Sequence, residues 1–197
     1  MRGQGTLRQR VEIGDMSTVM ATPHILTGAA IGRALHRRQW LAVSLSFASH
    51  FALDATPHLD SNDLYGSSAG FTMPEVAIGV ADIAVGCVIV VILTRARHWR
   101  VVALWSAFSA IALDLVNTVP PWGEWFAAWP GTAWLDRLHH GIQPNVPPES
   151  VLLGFGTQAA VTGMALWLLC RADGVSPPAE DQSDHDEPQA PRPRSDR

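Results

Sequence analysis

The region from Met20 to Cys170 consists of long apolar runs joined by short polar connections, and both ends of the chain are polar. A run of about 20 apolar residues is long enough for an α-helix to cross the hydrocarbon core of a bilayer. The pattern therefore predicts a small membrane protein with one helical domain over residues 20–171. Residues 1–19 are predicted to be a disordered arm or an artefact of start-codon assignment. Residues 172–197, which have almost no apolar side chains, are predicted to be a disordered polar tail.

The apolar runs predict an all-α, polytopic transmembrane bundle of about five helices. The first run, His24–Leu35 with Ala21–Pro23 before it, is slightly short for a full span, so this helix is predicted to be a tilted short span or a re-entrant helix. Within it, Gly28 and Gly32 are small residues one turn apart, which predicts close contact with a neighbouring helix. The remaining helices are predicted at Trp40 to about Ala55, Pro74 to Thr94, Val101 to about Val119, and about Glu149 to Cys170.

The segment from Trp122 to Pro148 has no long apolar run and carries four tryptophans. Indole rings favour the interface between lipid and water, so the segment is predicted to be irregular and amphipathic and to lie at the membrane surface. It contains the adjacent histidines His139 and His140. Because adjacent residues on a helix point in different directions, at most one of them is expected to enter a site, and the sequence leaves open which one.

Short basic connections occur at His36–Arg38, at Arg95–Arg100 and at Arg171. The positive-inside rule places such connections in the cytoplasm, so we predict a multi-pass protein of the cell inner (plasma) membrane with a cytoplasmic C-terminal tail. The same topology brings most ionisable residues of the apolar region to the opposite side. Since a charged group in hydrocarbon is costly, aspartates inside these helices indicate a functional site.

The segment SHFALDATPHLD, residues 49–60, closes the second apolar run. On a helix, His50 and Asp54 are one turn apart and point the same way. His58 either extends this face or begins a turn, with Asp60 close behind. Two imidazoles and two carboxylates at the mouth of an apolar helix suit a divalent metal ion. The alternative for His50 and Asp54 is a hydrogen-bonded pair that only joins helices.

Other polar residues on the same side of the predicted bundle complete a candidate metal site. The predicted metal ligands are His24, His50, Asp54, His58 and His139. A carboxylate beside a metal-bound water can orient that water or act as its general base, and the predicted catalytic residues are Asp60, Asp82 and Asp114. Imidazole and carboxylate ligands favour zinc as the cofactor, with magnesium or manganese as alternatives.

Several of these residues also have a purely structural interpretation. Asp82 has no other polar residue beside it and is otherwise expected to join two helices. Asp114 and Asn117, which share a helix face, are otherwise a structural polar pair. His24 is otherwise an interfacial residue or a helix cap.

The segments TPHILTGAAIG, SHFALDATPHLD, DLVN and LHHGIQ resemble a set of small bacterial integral membrane proteins with an SHFxLDxxPHxD motif. The chain is more distantly similar to the YdjM-like membrane-bound metal-dependent hydrolases, and its His-x-x-x-Asp pair resembles that of the helical zinc-dependent phospholipases C. The order of Pro57-His58-Leu59-Asp60 is the reverse of the compact Asp-x-Asp-His-Pro motif of the YdjM pattern. The resemblance covers about Thr22 to Gln143 and implies a helical bundle with hydrolase activity and a site at His24, His50, Asp54, His58 and Asp60.

These features predict a membrane-embedded metal-dependent hydrolase that acts on a lipid or a lipid-linked phosphoester near the outer leaflet. The chain has neither a G-x-S-x-G elbow nor a phosphate-cradling glycine-rich loop. No basic surface interleaved with aromatic residues indicates nucleic acid, so the expected partners are membrane lipids and the substrate. Two alternatives remain: a magnesium-dependent lyase, cyclase or phosphatase for isoprenoid diphosphates, and a non-enzymatic metal-binding membrane protein.

Overall fold

The computed structural model describes residues 20–58, 73–118, 121–142 and 151–171. These ranges form helices and no strands, which confirms the predicted all-α fold for this part of the chain. The predicted arm 1–19, the predicted tail 172–197 and Asp60 lie outside the described residues. The described helices are α1 (Ala21–Ala34), α2 (Gln39–Asp54), α3 (Met73–Thr94), α4 (Arg100–Thr118), α5 (Trp122–Ala128), α6 (Ala133–Ile142) and α7 (Val151–Cys170).

Three of these helices, α3, α4 and α7, are long and apolar enough to cross a membrane. Their apolar side chains are largely exposed on the outer faces, as at Val85 on α3 and Phe155 on α7. Exposed apolar surface of this extent marks a face that lipid or another protein covers. The other two predicted spans, α1 and α2, have 14 and 16 residues. They are shorter than the roughly 20 residues that a perpendicular span needs.

Helix α1 is surrounded by other helices, since it packs against α2, α3, α4 and α7. Its apolar side chains, such as Ile25 and Leu26, are almost completely buried. A helix whose surface is covered by protein does not have to match the thickness of the bilayer by itself. The predicted short first helix is therefore the centre of the bundle.

Helices α1 and α4 approach each other closely at two glycines of α1. A Cβ atom added at Gly28 would lie 2.6 Å from the carbonyl oxygen of Ser106 and 2.7 Å from Cβ of Ala110. A Cβ atom at Gly32 would lie 2.7 Å from Cα of Ala103. The prediction that the paired glycines allow close helix contact is confirmed, because only residues without a side chain fit at these two positions.

The two ends of the bundle differ in charge. At one end, the Arg33 guanidinium donates hydrogen bonds to the carbonyl oxygens of Leu168 and Arg171 and lies 5.4 Å from the ring centre of the buried Trp99. At the other end, α1 begins and α2 and α4 finish. The short helices α5 and α6 pack against α4 and α2, respectively, and expose the tryptophans of the segment predicted to lie at a membrane surface.

Candidate metal centre

Imidazole and carboxylate groups from four helices meet where α1 begins and α2 ends. The ligand atoms of His24, His50 and Asp54 lie within 4.8 Å of one another, and so do those of His50, Asp114 and His139. Both groups contain His50, so the two form one continuous cluster. The structure therefore brings together five of the predicted site residues, namely His24, His50, Asp54, Asp114 and His139.

The cluster has the dimensions of a metal site. Nε2 of His50 lies 3.2 Å from Asp54 Oδ2 and 3.5 Å from Asp114 Oδ1. Nε2 of His139 lies 3.1 Å from Asp54 Oδ2 and 3.4 Å from Asp114 Oδ1. Ligands held about 2.0–2.1 Å from one tetrahedral ion are separated by about 3.3–3.4 Å. These four contacts therefore match the separations expected between ligands of a single ion.

The carboxylate of Asp54 is completely buried, and its ion-pair partners within the described ranges are all histidines. Neither of its oxygens has a hydrogen-bond partner among the residues that the structure describes. A buried carboxylate without hydrogen bonds or a counter-charge is strongly unfavourable. When the imidazoles are neutral, as they must be to bind a metal ion, Asp54 and Asp114 together carry two negative charges, which a divalent cation would neutralise.

His50 is held in the orientation that a metal ligand needs. Its Nδ1 lies 2.9 Å from the carbonyl oxygen of Ala110 on α4, and because a carbonyl oxygen only accepts, Nδ1 carries the proton. Nε2 then holds the lone pair and faces both carboxylates. A hydrogen bond from the second ring nitrogen to a backbone carbonyl is the arrangement that fixes the tautomer of metal-binding histidines.

Helix α6 contributes His139 and turns His140 away. The side chain of His139 is buried, whereas His140 is exposed and lies 3.5 Å from Asp136 on its own helix. Burial lowers the pKa of His139, and the neighbouring carboxylates of Asp114 and Asp54 outweigh this effect and raise the pKa to about 9. The two carboxylates thus create a position that strongly favours positive charge.

Asn117, one turn after Asp114 on α4, supports His139. Its amide nitrogen lies 3.2 Å from His139 Nδ1, and its oxygen is buried without a hydrogen-bond partner in the described part of the chain. A half-turn of the amide exchanges its oxygen and nitrogen, so Asn117 can accept a hydrogen bond from Nδ1 of His139. In that arrangement Nδ1 of His139 would carry the proton and Nε2 would carry the lone pair that binds an ion. The hydrogen bond to the Ala110 carbonyl has the same effect on His50.

Asp82 is not part of this cluster. Its carboxylate accepts hydrogen bonds from the backbone nitrogen of Thr22 at 3.0 Å and from the Thr22 hydroxyl at 2.6 Å. Backbone N–H groups in the first turn of a helix have no partner within the helix, and a carboxylate satisfies one of them. The predicted catalytic residue Asp82 therefore joins α3 to the beginning of α1, the structural alternative that the sequence left open.

His58 lies beside the cluster, after the end of α2. It is buried, and its Nδ1 lies 2.7 Å from the carbonyl oxygen of Thr56, so Nδ1 carries the proton. His58 and His24 line one cleft together with residues of α7, among them Thr157 and Gln158. The structure thus places the predicted ligand His58 in a cleft that it shares with His24.

Two supporting groups could not be assigned from the sequence. The Ala110 carbonyl that orients His50 is a backbone atom, and no residue type marks it. Asn117 was recognisable by its position three residues after Asp114, but its contact with His139 depends on where α6 lies.

The assignment of this centre rests on its geometry alone. Comparison with protein-family models, with curated proteins and with solved structures finds no match for this chain.

Proposed function

We propose that this protein is a membrane-embedded metal-dependent hydrolase that acts on a lipid or a lipid-linked phosphoester. The observation that carries the proposal is the cage of two imidazole nitrogens and two carboxylate oxygens, with cross distances of 3.1, 3.2, 3.4 and 3.5 Å. The cage lies next to a cleft that is lined by His24 and His58.

We assign His50, His139 and Asp54 as the metal ligands of this cage. All three side chains are buried, and Asp54 Oδ2 is closer to both imidazoles than Asp114 Oδ1 is. Two imidazoles and one carboxylate form a ligand set that is used by catalytic zinc sites, in which a water occupies the fourth position. Zinc is the proposed cofactor, and manganese or iron would suit the same ligands.

Asp114 is assigned as the general base. Its side chain retains 19% exposure, whereas the three ligands are buried, and its oxygen lies 3.5 and 3.4 Å from the two imidazole nitrogens. A zinc ion lowers the pKa of its bound water to near neutrality. With such an ion bound, the Asp114 carboxylate would be placed to accept a proton from the water that attacks the ester.

The membrane setting supports a lipid substrate. Three helices are long and apolar enough to cross a bilayer, and the basic end of the bundle, around Arg33, lies opposite the metal cage. The positive-inside rule orients the basic end towards the cytoplasm, so the cage would lie near the non-cytoplasmic leaflet. The lining of this small cleft combines apolar residues, such as Leu53 and Val161, with polar residues, such as Thr157 and Gln158.

The imidazole content of the cage separates this proposal from the magnesium-dependent alternative. Magnesium prefers oxygen ligands in an octahedral arrangement and keeps several waters. In this cage two of the four groups are imidazoles, and both are buried. The ligands of the cage thus favour zinc over magnesium as the bound ion. This argues against the alternative of a magnesium-dependent isoprenoid-diphosphate enzyme.

The proposal is tested by comparing Asp114→Asn with Asp136→Asn in the zinc-loaded full-length protein. Hydrolysis is followed as release of water-soluble phosphate from phosphatidylethanolamine in mixed micelles and as cleavage of bis(p-nitrophenyl) phosphate. The wild type and Asp136→Asn are expected to turn over. Asp114→Asn is expected to retain zinc but to lose about 10²–10⁴-fold in rate, the usual contribution of a general base.

Two results would contradict parts of this assignment. Full activity in Asp114→Asn would remove Asp114 from the mechanism. Stoichiometric zinc in the wild type with no cleavage of either substrate would favour the non-enzymatic metal-binding protein.

A further inference from the structure

Two basic connections meet at the end of the bundle opposite the metal cage. The connection between α1 and α2 contains Arg37 and Arg38, and the connection between α3 and α4 contains Arg95. The connections are joined by a contact between His36 and His98, which are 62 residues apart in the sequence and whose Nε2 atoms lie 3.3 Å apart. Helix packing thus combines two short basic segments into one surface.

The arginines at this end of the bundle have different roles. Arg33 is used within the fold, because it donates hydrogen bonds to two backbone carbonyl oxygens at the end of α7. Arg37, Arg38 and Arg95 are exposed. Their guanidinium groups have no hydrogen bond or ion pair with any residue that the structure describes. Their donors therefore face outwards and are available to an external partner.

No described acidic side chain balances this positive charge. The acidic residues whose side chains the structure describes are placed around the cage or near the beginning of α1, and they are Asp54, Asp82, Asp114, Glu124 and Asp136. Several exposed charges of one sign create a potential that attracts the opposite charge. The basic surface formed by Arg37, Arg38 and Arg95 therefore favours an anionic partner.

The basic surface lies where the three apolar helices reach one end of the bundle. Helix α3 ends at Thr94, α4 begins at Arg100 and α7 ends at Cys170. Trp40, in the first turn of α2, is 88% exposed. An exposed indole next to arginines at the end of apolar helices is typical of the headgroup level of a bilayer. The anion closest to this surface would be the phosphate of a lipid headgroup.

The kind of basic residue also favours phosphate. The basic side chains of this chain, apart from its histidines, are all arginines. A planar guanidinium can donate two parallel hydrogen bonds to a phosphate group, which a lysine ammonium cannot do. We propose that the basic surface binds the headgroup of an anionic phospholipid in the leaflet that borders this end of the bundle. The proposal does not depend on the metal site.

Native mass spectrometry of the full-length protein tests this proposal. The protein in detergent is incubated with equal amounts of phosphatidylglycerol and phosphatidylcholine that have the same acyl chains, and the retained lipids are identified by mass. The wild type is expected to retain phosphatidylglycerol preferentially, because the quaternary ammonium group of choline is repelled by the arginines. This preference should decrease as the salt concentration is raised, since salt screens exposed charges.

Variants of each connection test whether both contribute to one surface. Arg95→Gln changes the second connection, and the double variant Arg37→Gln/Arg38→Gln changes the first. An arginine near an anionic lipid surface contributes roughly fivefold to binding, so the preference should fall about fivefold in Arg95→Gln and further in the double variant. Arg137→Gln is the matched control, because Arg137 is an exposed arginine on α6 at the other end of the bundle. It should keep the preference of the wild type, and all variants should keep its thermal midpoint in detergent.

Three results would overturn the proposal. The first is equal retention of the two lipids by the wild type. The second is a preference that persists in Arg95→Gln and is lost only in the double variant, because the anion would then be held by the first connection alone. The third is displacement of phosphatidylglycerol by an equal concentration of glycerol 1-phosphate, which would identify a soluble phosphate ester as the ligand. Retention of phosphatidylglycerol in the presence of glycerol 1-phosphate would support the lipid.

Discussion

The two ends of this bundle each bring a pair of histidines into contact, and the pairs have the same spacing. The ring centres of His24 and His50 are 4.9 Å apart, and so are those of His36 and His98 at the basic end. The first pair is buried, whereas Nε2 of His98 is exposed and lies 3.3 Å from Nε2 of His36. The distance between imidazoles therefore does not by itself distinguish a metal site.

What differs is the charge that accompanies each pair. His36 donates from Nδ1 to the carbonyl oxygen of Arg33, so its Nε2 can accept a hydrogen bond from His98 and the pair needs no cation. His24 and His50 face the buried carboxylate of Asp54, whose oxygens lack hydrogen bonds among the described residues. The candidate metal site therefore lies where buried negative charge favours a cation and where imidazole nitrogens face that charge.

Removal of the buried charge is the largest expected perturbation. Asp54→Asn leaves the shape of the side chain nearly unchanged but removes its negative charge. Loss of one partner from a buried charged pair costs about 3–5 kcal/mol, roughly a hundred- to several-thousand-fold in zinc affinity. Competition with a chromophoric zinc chelator measures this loss. The control is Asp136→Asn, which alters a histidine–aspartate pair of the same i,i+4 spacing at the exposed His140 and should not change the affinity. Equal affinities for the two variants would show that burial of Asp54 is irrelevant.

Removal of a supporting side chain at the buried end should have the next largest effect. Asn117→Ala deletes the amide that contacts His139 and leaves every proposed ligand in place. Changes to residues that orient metal ligands typically cost about 10–100-fold in affinity. The same chelator competition should therefore give a value between those of Asp54→Asn and the wild type. Wild-type affinity would mean that His139 does not depend on Asn117.

A change in helix packing should disturb the buried end indirectly. In Gly28→Ala the new methyl group would overlap the Ser106 carbonyl and Ala110, whose own carbonyl oxygen orients His50. Overpacking of this kind costs about 1–3 kcal/mol, so the thermal midpoint in detergent and the zinc affinity should both fall. Gly163→Ala on α7 is the control, since a Cβ atom there meets no atom within 4 Å. A Gly28→Ala protein as stable as Gly163→Ala would argue against the close contact of α1 with α4.

At the basic end the expected effect on metal binding is the smallest. His36→Ala and His98→Ala each remove one ring of the His36–His98 pair, which has no buried carboxylate beside it among the described residues. Both variants should retain the zinc content and affinity of the wild type in elemental analysis and chelator competition. A loss of metal in either variant would remove the distinction between the two ends of the bundle.

Most of the helical architecture could be predicted because it depends on local pattern. The apolar runs located α1 to α4 and α7 to within a few residues, and the glycine pair indicated close packing. The pattern did not place α1 at the centre of the bundle, because the sequence of a short apolar helix does not reveal which neighbours cover it. It also did not resolve α5 and α6 within the tryptophan-rich segment.

The candidate site was predictable in its local part only. His50 and Asp54 lie one turn apart on a single helix, so their common direction followed from the helical repeat. Asp82 and Asp114 are both aspartates inside apolar helices, and nothing in their immediate sequence told them apart. In the structure Asp82 accepts a hydrogen bond at the beginning of α1, whereas Asp114 lies in the cluster that could hold a metal ion. In the same way, only the position of α6 distinguishes His139 from its neighbour.

The sequence by itself determined that this chain forms apolar helices and that one of them ends with a histidine and an aspartate on the same face. Spacing along a helix is a local property, so no other part of the molecule was needed to establish it. The tertiary structure decided which distant imidazoles and carboxylates face each other, and that Asp54 is buried among histidines with no hydrogen bond from any residue that the structure describes. Those properties depend on how the helices pack, because helix packing sets both the distances between side chains and their removal from water.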